Sequence, residues 1–284
     1  MPSPLLAKAA QAGRTIVDVT PERAGWTHVG FQALRLAAGE SHAVATAERE
    51  LCLVVLNGTV DISVAGPEGG APQFFQRVGV RTSVFEGAPA SVYVPPQHQV
   101  SVVASKDAEL ALCTAPCDDQ PRQVRLIPPE ATRASVRGQG SNTRYVCDIL
   151  PHDDPTAAHL LVVEVVTPAG HSSSYPPHKH DQQTPPTETL LEETYYHRLN
   201  PPQGFAFQRV YTDDRSLDEA CAVENHDVVM VPRGYHPVTV PHGYDSYYLN
   251  VMAGPQRLWV FKNDPQHEWM LQPGALPAAG QRAR

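Results

Sequence analysis

Four segments carry the apolar patterning of short, buried strands. Residues 51–56 are an unbroken apolar run, and residues 160–166 read Leu-Leu-Val-Val-Glu-Val-Val. Residues 228–231 are apolar and β-branched until Pro232 halts them, and residues 247–252 precede the turn signal Gly254-Pro255. No long helical pattern alternates with them, so the expected architecture is an all-β sandwich or barrel. The 28 prolines and 19 glycines strengthen this expectation, because proline is poorly tolerated inside helices and central strands.

The pattern occurs twice. Ala38-Gly39-Glu40-Ser41 resembles Ala169-Gly170-His171-Ser172, and the segment beginning Glu50-Leu51-Cys52 lines up with the one beginning Glu193-Thr194-Tyr195. Val92-Tyr93-Val94-Pro95-Pro96-Gln97-His98 then matches Val229-Met230-Val231-Pro232-Arg233-Gly234-Tyr235-His236. Three matches in one order predict two β-barrels on one plan, over residues 1–135 and 136–284. The polar, proline-containing stretch from Asp118 to about Gly140 is the expected linker.

Composition removes several function classes. A net charge of -8 with no Lys/Arg cluster argues against nucleic acid as a partner. No apolar run reaches the roughly 20 residues that span a bilayer, and the N-terminus lacks a secretion-signal pattern. A cytoplasmic protein is expected, with its five scattered cysteines reduced.

The chemistry concentrates in the second half, at Ser174-Tyr175-Pro176-Pro177-His178-Lys179-His180-Asp181. On a strand, residues two apart share a face, so His178 and His180 can reach one ion while Lys179 points away. Glu192 and Glu193 add carboxylates, and His236 follows a later strand and turn. Counted from the Gly39/Gly170 match, His178 and His180 correspond to Ala47 and Arg49, so the first barrel is expected to lack metal ligands.

This order resembles the cupin superfamily: Gly170, His178-x-His180, Glu193, then Pro232-x-Gly234-x-His236. The wide gap after His180 leaves Glu192 as an alternative to Glu193, the preferred ligand. A narrower resemblance covers about residues 160 to 260. The blocks Leu191-Glu192-Glu193-Thr194-Tyr195-Tyr196, Gly204-Phe205-Ala206-Phe207-Gln208-Arg209-Val210-Tyr211, Gly234-Tyr235-His236-Pro237 and Gly243-Tyr244-Asp245-Ser246-Tyr247-Tyr248 look like the 5-deoxy-glucuronate isomerase family. These are bicupins of bacterial myo-inositol catabolism. His242 departs from the pattern, which places proline there, and adds an imidazole of undefined role.

The resemblance implies two double-stranded β-helix (jelly-roll) barrels and conversion of 5-deoxy-D-glucuronate to 5-dehydro-2-deoxy-D-gluconate. It implies one divalent metal ion (zinc, manganese, iron or nickel) on His178, His180, Glu193 and His236. That ion would stabilise an enediolate as a proton moves from C2 to C1. Asp245, Tyr244 and Tyr175 are the candidate proton-transfer groups. Arg209, then Arg233, are candidates for the substrate carboxylate, with Tyr247 beside them. A homodimer or larger homo-oligomer is implied. The alternatives are a 4-deoxy-5-ketouronate isomerase type of enzyme, a metal-dependent dioxygenase, and a non-catalytic sugar-binding bicupin.

Overall fold

The computed structural model describes residues 3–67 and 71–272. Nearly all regular structure is β; one four-residue α-helix, Pro21–Ala24, and short 3-10 turns are the helical pieces among these residues. None is long and apolar enough to cross a membrane. All five cysteines are free.

In the first half a six-stranded sheet runs in the order Arg125–Ile127, Ala90–Val94, Arg49–Asn57, Ala108–Pro116, Gly30–Leu36, Thr15–Val19. A four-stranded sheet, Ser41–Ala45, Gln99–Ala104, Val60–Ala65, Gln73–Val78, completes that half. The second half repeats the plan. Its large sheet runs Leu6–Ala7, Val228–Val231, Glu192–Asn200, Asp245–Ala253, Leu161–Thr167, Arg144–Leu150, Arg133–Arg137. Its small sheet runs Ser172–Ser173, Val238–Thr239, Phe205–Tyr211, Asp218–Glu224.

Two departures from the sequence reading stand out. Leu6–Ala7, from the start of the chain, pairs with Val228 and Val229, so the second half's sheet borrows a strand from inside the expected first domain. The expected linker is also structured. Arg125–Ile127 extends the first large sheet and Arg133–Arg137 edges the second.

The apolar run at 51–56 is unbroken because both faces of its strand are covered. Leu51, Leu53 and Val55 point into the core of the first half. Cys52, Val54 and Leu56 point into a cluster shared with Tyr196, Tyr247, Leu249 and Val251 of the second half. Strand alternation thus builds a core in each half and an apolar layer between them.

Two neighbouring polar clamps lock this layer, with the ring centroids of His28 and His159 lying 6.3 Å apart between them. Glu50 accepts the backbone N–H groups of Ala158, His159 and Leu160, and a bond from the Tyr93 hydroxyl. Reciprocally, Glu192 accepts from the N–H groups of Thr27, His28 and Val29. Toward the other end of the Arg49–Asn57 strand, where Arg81 Nε donates to Leu56 O, Arg81 pairs with buried Glu164, which also accepts from Tyr247. Buried carboxylates are tolerated here because each is met by several donors.

Candidate metal centre

The strand Glu192–Asn200 places alternate side chains on opposite faces, and this decides between the two adjacent glutamates. Glu192 faces the first half and is consumed by its clamp. Glu193, paired with Val231 and Met252, faces the interior of the second half. Inter-strand register also corrects the repeat by one residue. Leu51 faces Val94 just as Glu193 faces Val231, each partner preceding a proline. The counterpart of Glu193 is therefore Leu51, and that of Glu50 is Glu192.

Three buried residues converge: one ligand atom each from His180, Glu193 and His236 lies within 4.8 Å of the others. His180 Nε2 is 3.1 Å, and His236 Nε2 3.2 Å, from Glu193 Oε2. Each imidazole turns Nδ1 to a backbone carbonyl, Leu191 O at 3.0 Å for His180 and Gly234 O at 2.8 Å for His236. A carbonyl can only accept, so Nδ1 carries the proton and the Nε2 lone pairs point to a common centre. His236 Nε2 is buried without a hydrogen-bond partner. A buried acceptor left this way, beside a carboxylate and a second imidazole, fits a divalent cation.

His178 stands at the edge of this trio. Its ring centroid lies 4.9 Å from that of His236 and 6.4 Å from that of His180. Burial, with the neighbouring cations, holds the His178 imidazole down to about 3. Burial likewise holds His236 at about 3, against the pull of Glu193, so both rings are neutral at ordinary pH, the form in which an imidazole can hold a metal ion. For His180 burial opposes charge, but the Glu193 carboxylate outweighs it and raises the value.

Gly234, with a positive φ of 90°, lets the backbone turn tightly before His236; an added Cβ would meet Tyr211 O at 2.5 Å. Lys179 points away from the centre, as alternation predicts, into a buried cage of its own. Its Nζ lies 2.8 Å from Asp181, 3.0 Å from Asp213 and 3.8 Å from Glu188. Asp181 in turn accepts from Gly234 N–H, tying the His178 and His236 loops together.

A cavity of about 440 Å³ opens on His178, lined also by Asn142, Arg144, Tyr175 and Phe261. A smaller chamber of about 70 Å³ continues inward past Arg144 and His178 to Ser174, Tyr195 and Tyr248. The Tyr195 hydroxyl is 3.0 Å from Ser174 Oγ, and its ring centroid is 5.7 Å from that of His236. Burial first, and the Glu193 carboxylate second, push the Tyr195 phenol well above its ordinary value.

Of the other residues expected at the site, Tyr175 alone is brought to it. Asp245 pairs with Asn200, seven positions along the strand from Glu193 and so roughly 23 Å away. It accepts from Ala169 N–H there, and Tyr244 packs against Phe205. Tyr247 points into the layer between the halves; its neighbour Tyr248 faces the chamber. Arg209 lies on the outer face of its strand, bonded to Asp218 at 2.6 and 2.7 Å and over the Tyr211 ring. Arg233 and His242 are exposed. On the inner face beside Arg209 stands buried Gln208, which meets His197 at 3.0 Å and reaches His236 O at 3.4 Å. Sequence reasoning missed Gln208, Tyr195, Tyr248 and Arg144. Alternation from Glu193 would have found Tyr195.

Residues 5–270 match the KduI/IolB family. A 5-deoxy-glucuronate isomerase of Geobacillus kaustophilus is 51% identical over 258 residues, covering 90% of this chain and 91% of the relative. The Bacillus subtilis (strain 168) protein of the same name is 49% identical over 260 residues, 91% of this chain and 93% of the relative. An IolB-like protein from Salmonella typhimurium LT2 superposes with a TM-score of 0.90 at 49% identity, covering 94% of this chain and 99% of that one. Bacillus subtilis oxalate decarboxylase shares the fold more distantly. Its TM-score is 0.63 at 13% identity, over 90% of this chain and 77% of that one.

Proposed function

The chain belongs to the KduI/IolB family, and from that premise we propose that it converts 5-deoxy-D-glucuronate to 5-dehydro-2-deoxy-D-gluconate, as an aldose–ketose isomerase of inositol catabolism. The names of relatives near 50% identity over about nine-tenths of the chain support the reaction. The observation that carries the site is the convergence of two Nε2 lone pairs on Glu193 behind a cavity large enough for a six-carbon acid. We read each half as a jelly-roll barrel, divided near residue 135, with the metal site in the second alone. The compartment is the cytoplasm and the assembly a homo-oligomer.

His180, Glu193 and His236 would hold one divalent ion, with His178 as fourth ligand. Zinc, manganese, iron and nickel all suit this donor set. Bound there, the ion supplies a Lewis acid for the C1 carbonyl and for charge developing on the C1 and C2 oxygens. Nδ1 bonds to Leu191 and Gly234 hold the His180 and His236 rings in register for that ion. Tyr195, kept protonated, is a hydrogen-bond donor aimed into the chamber. Tyr175 is the remaining sequence candidate for proton transfer, at the wall beside His178. Phe261, its ring 4.5 Å from that of His178, shields the chamber from water. The net change moves one proton from C2 to C1 and a second from the C2 hydroxyl to the C1 oxygen, and needs no oxidant.

Turnover of 5-deoxy-glucuronate by the purified protein tests this. Ketose should form, stop on chelation and resume on adding back a divalent ion. Metal-loaded protein that leaves the aldose unchanged overturns the isomerase, and oxygen uptake in its place identifies a dioxygenase.

A further inference from the structure

An acid substrate requires a cation, and the cations near the centre differ in what already occupies them. Lys179 is surrounded by three carboxylates. Arg209 is paired with Asp218. Arg137 lies 3.7 Å from Asp148, with its guanidinium over the Trp259 ring. Arg144 is different. It lines both the main cavity and the inner chamber, each together with His178, and makes no ion pair among the described residues.

Its hydrogen bonds explain how it is held. Nη1 donates to the carbonyls of Asn142 at 3.1 Å and Tyr175 at 3.3 Å. Nε and Nη2 donate to no described protein group. They form the side-on edge of the guanidinium, whose two parallel N–H bonds match a carboxylate. Gly138 makes the room. Its φ is +77°, and a Cβ there would lie 2.7 Å from Arg144 Nη1 and 2.2 Å from Asn142 O. Burial pulls the Arg144 guanidinium below its ordinary value, the direction expected of a cation without a counter-charge. Partial burial of an unpaired charge is costly and persists where a ligand completes it.

We propose that Arg144 is the carboxylate-binding residue of the site, its Nε/Nη2 edge taking the acid end of the sugar while the carbonyl end lies at the His178 side of the same cavity. This rests on the isomerase reading for the identity of the acid, but not for its binding.

Equilibrium titration with D-glucuronate and with its uncharged primary amide tests the proposal without turnover. The wild-type protein should bind the acid about tenfold or more tighter than the amide, as a bidentate charged pair implies. Arg144→Gln should bind the two within about twofold while keeping wild-type metal content. Arg144→Lys, which retains charge but not the fork, should hold an intermediate preference and serves as the reading if the glutamine variant does not fold. An undiminished preference in either variant, or none in wild type, overturns the assignment. Turnover of 5-deoxy-glucuronate is measured separately. Acid preference that depends on Arg144 in a protein without isomerase activity would leave the subsite standing and remove the reaction.

Discussion

Leu51 and Glu193 occupy the same place in the two halves, each opposite the last strand residue before a proline. Around Leu51 the interior is Leu53, Val55, Val92, Val94, Val100 and Val102. Around Glu193 it is His180, His236 and Tyr195. One scaffold therefore carries two interiors, one a close-packed hydrocarbon core and the other an apolar core that opens into a polar chamber. The first contributes stability and the second gives up packing for chemistry, with the apolar layer and the two glutamate clamps coupling them.

The sharpest break of this contrast is Glu193→Ala. Loss of the carboxylate should lower kcat/KM on the order of 10³-fold or more, about 4 kcal/mol. Bound metal by elemental analysis should fall with it; a variant keeping both metal and activity would displace Glu193 from the centre. Leu51→Ala should do the reverse, reducing unfolding free energy by roughly 2–5 kcal/mol in denaturant titrations. Its metal stoichiometry should be unchanged, and metal loss would mean that the halves are not separable in this way.

Acid should distinguish the two interiors next. Burial depresses the His197 imidazole to about 4, although Gln208 pulls the other way. The unfolded chain takes up its proton below about 6.5, while the folded protein resists until about 4. That contribution is complete above the unfolded value and is lost as pH falls through this window, to about 3 kcal/mol. Denaturation midpoints between pH 7 and 4 should show the slope, and His197→Gln should reduce it, the remainder coming from His178 and His236. Glu50→Gln and Glu192→Gln should each cost roughly 1.5–3 kcal/mol and by similar amounts. A large inequality would show the clamps to be unlike. The smallest effect belongs to Arg209→Ala, within about 1 kcal/mol of wild-type stability for an exposed pair and with unchanged KM. A raised KM would return Arg209 to the site.

The β architecture and the grouping of His180, Glu193 and His236 were legible because apolar runs, prolines and paired histidines are local signals. What escaped depends on parity and distance. A one-residue shift reverses the face of a strand, and this separates Tyr247 from Tyr248, Glu192 from Glu193 and Arg209 from Gln208. Asp245 and Tyr244 belong to a block near the site in sequence order, but strand length carries them to the far end. Arg144 has no motif at all. Its exposure to the cavity depends on the missing side chain of Gly138 and on two carbonyls from separate loops.

The pairing of Leu6–Ala7 with Val228 and Val229 has a consequence for biosynthesis. Leu6 and Ala7 leave the ribosome more than 200 residues ahead of their partner strand. At about 5–20 residues per second, that edge stays unmatched for at least ten seconds or so. The first half can close its own two sheets in that interval, since all their strands lie between Thr15 and Ile127. The second must recover its borrowed strand once Val228–Val231 has been made, which makes Leu6–Ala7 a late piece set in place. A bulky insertion ahead of that strand would delay maturation of the second half while leaving the first free to fold.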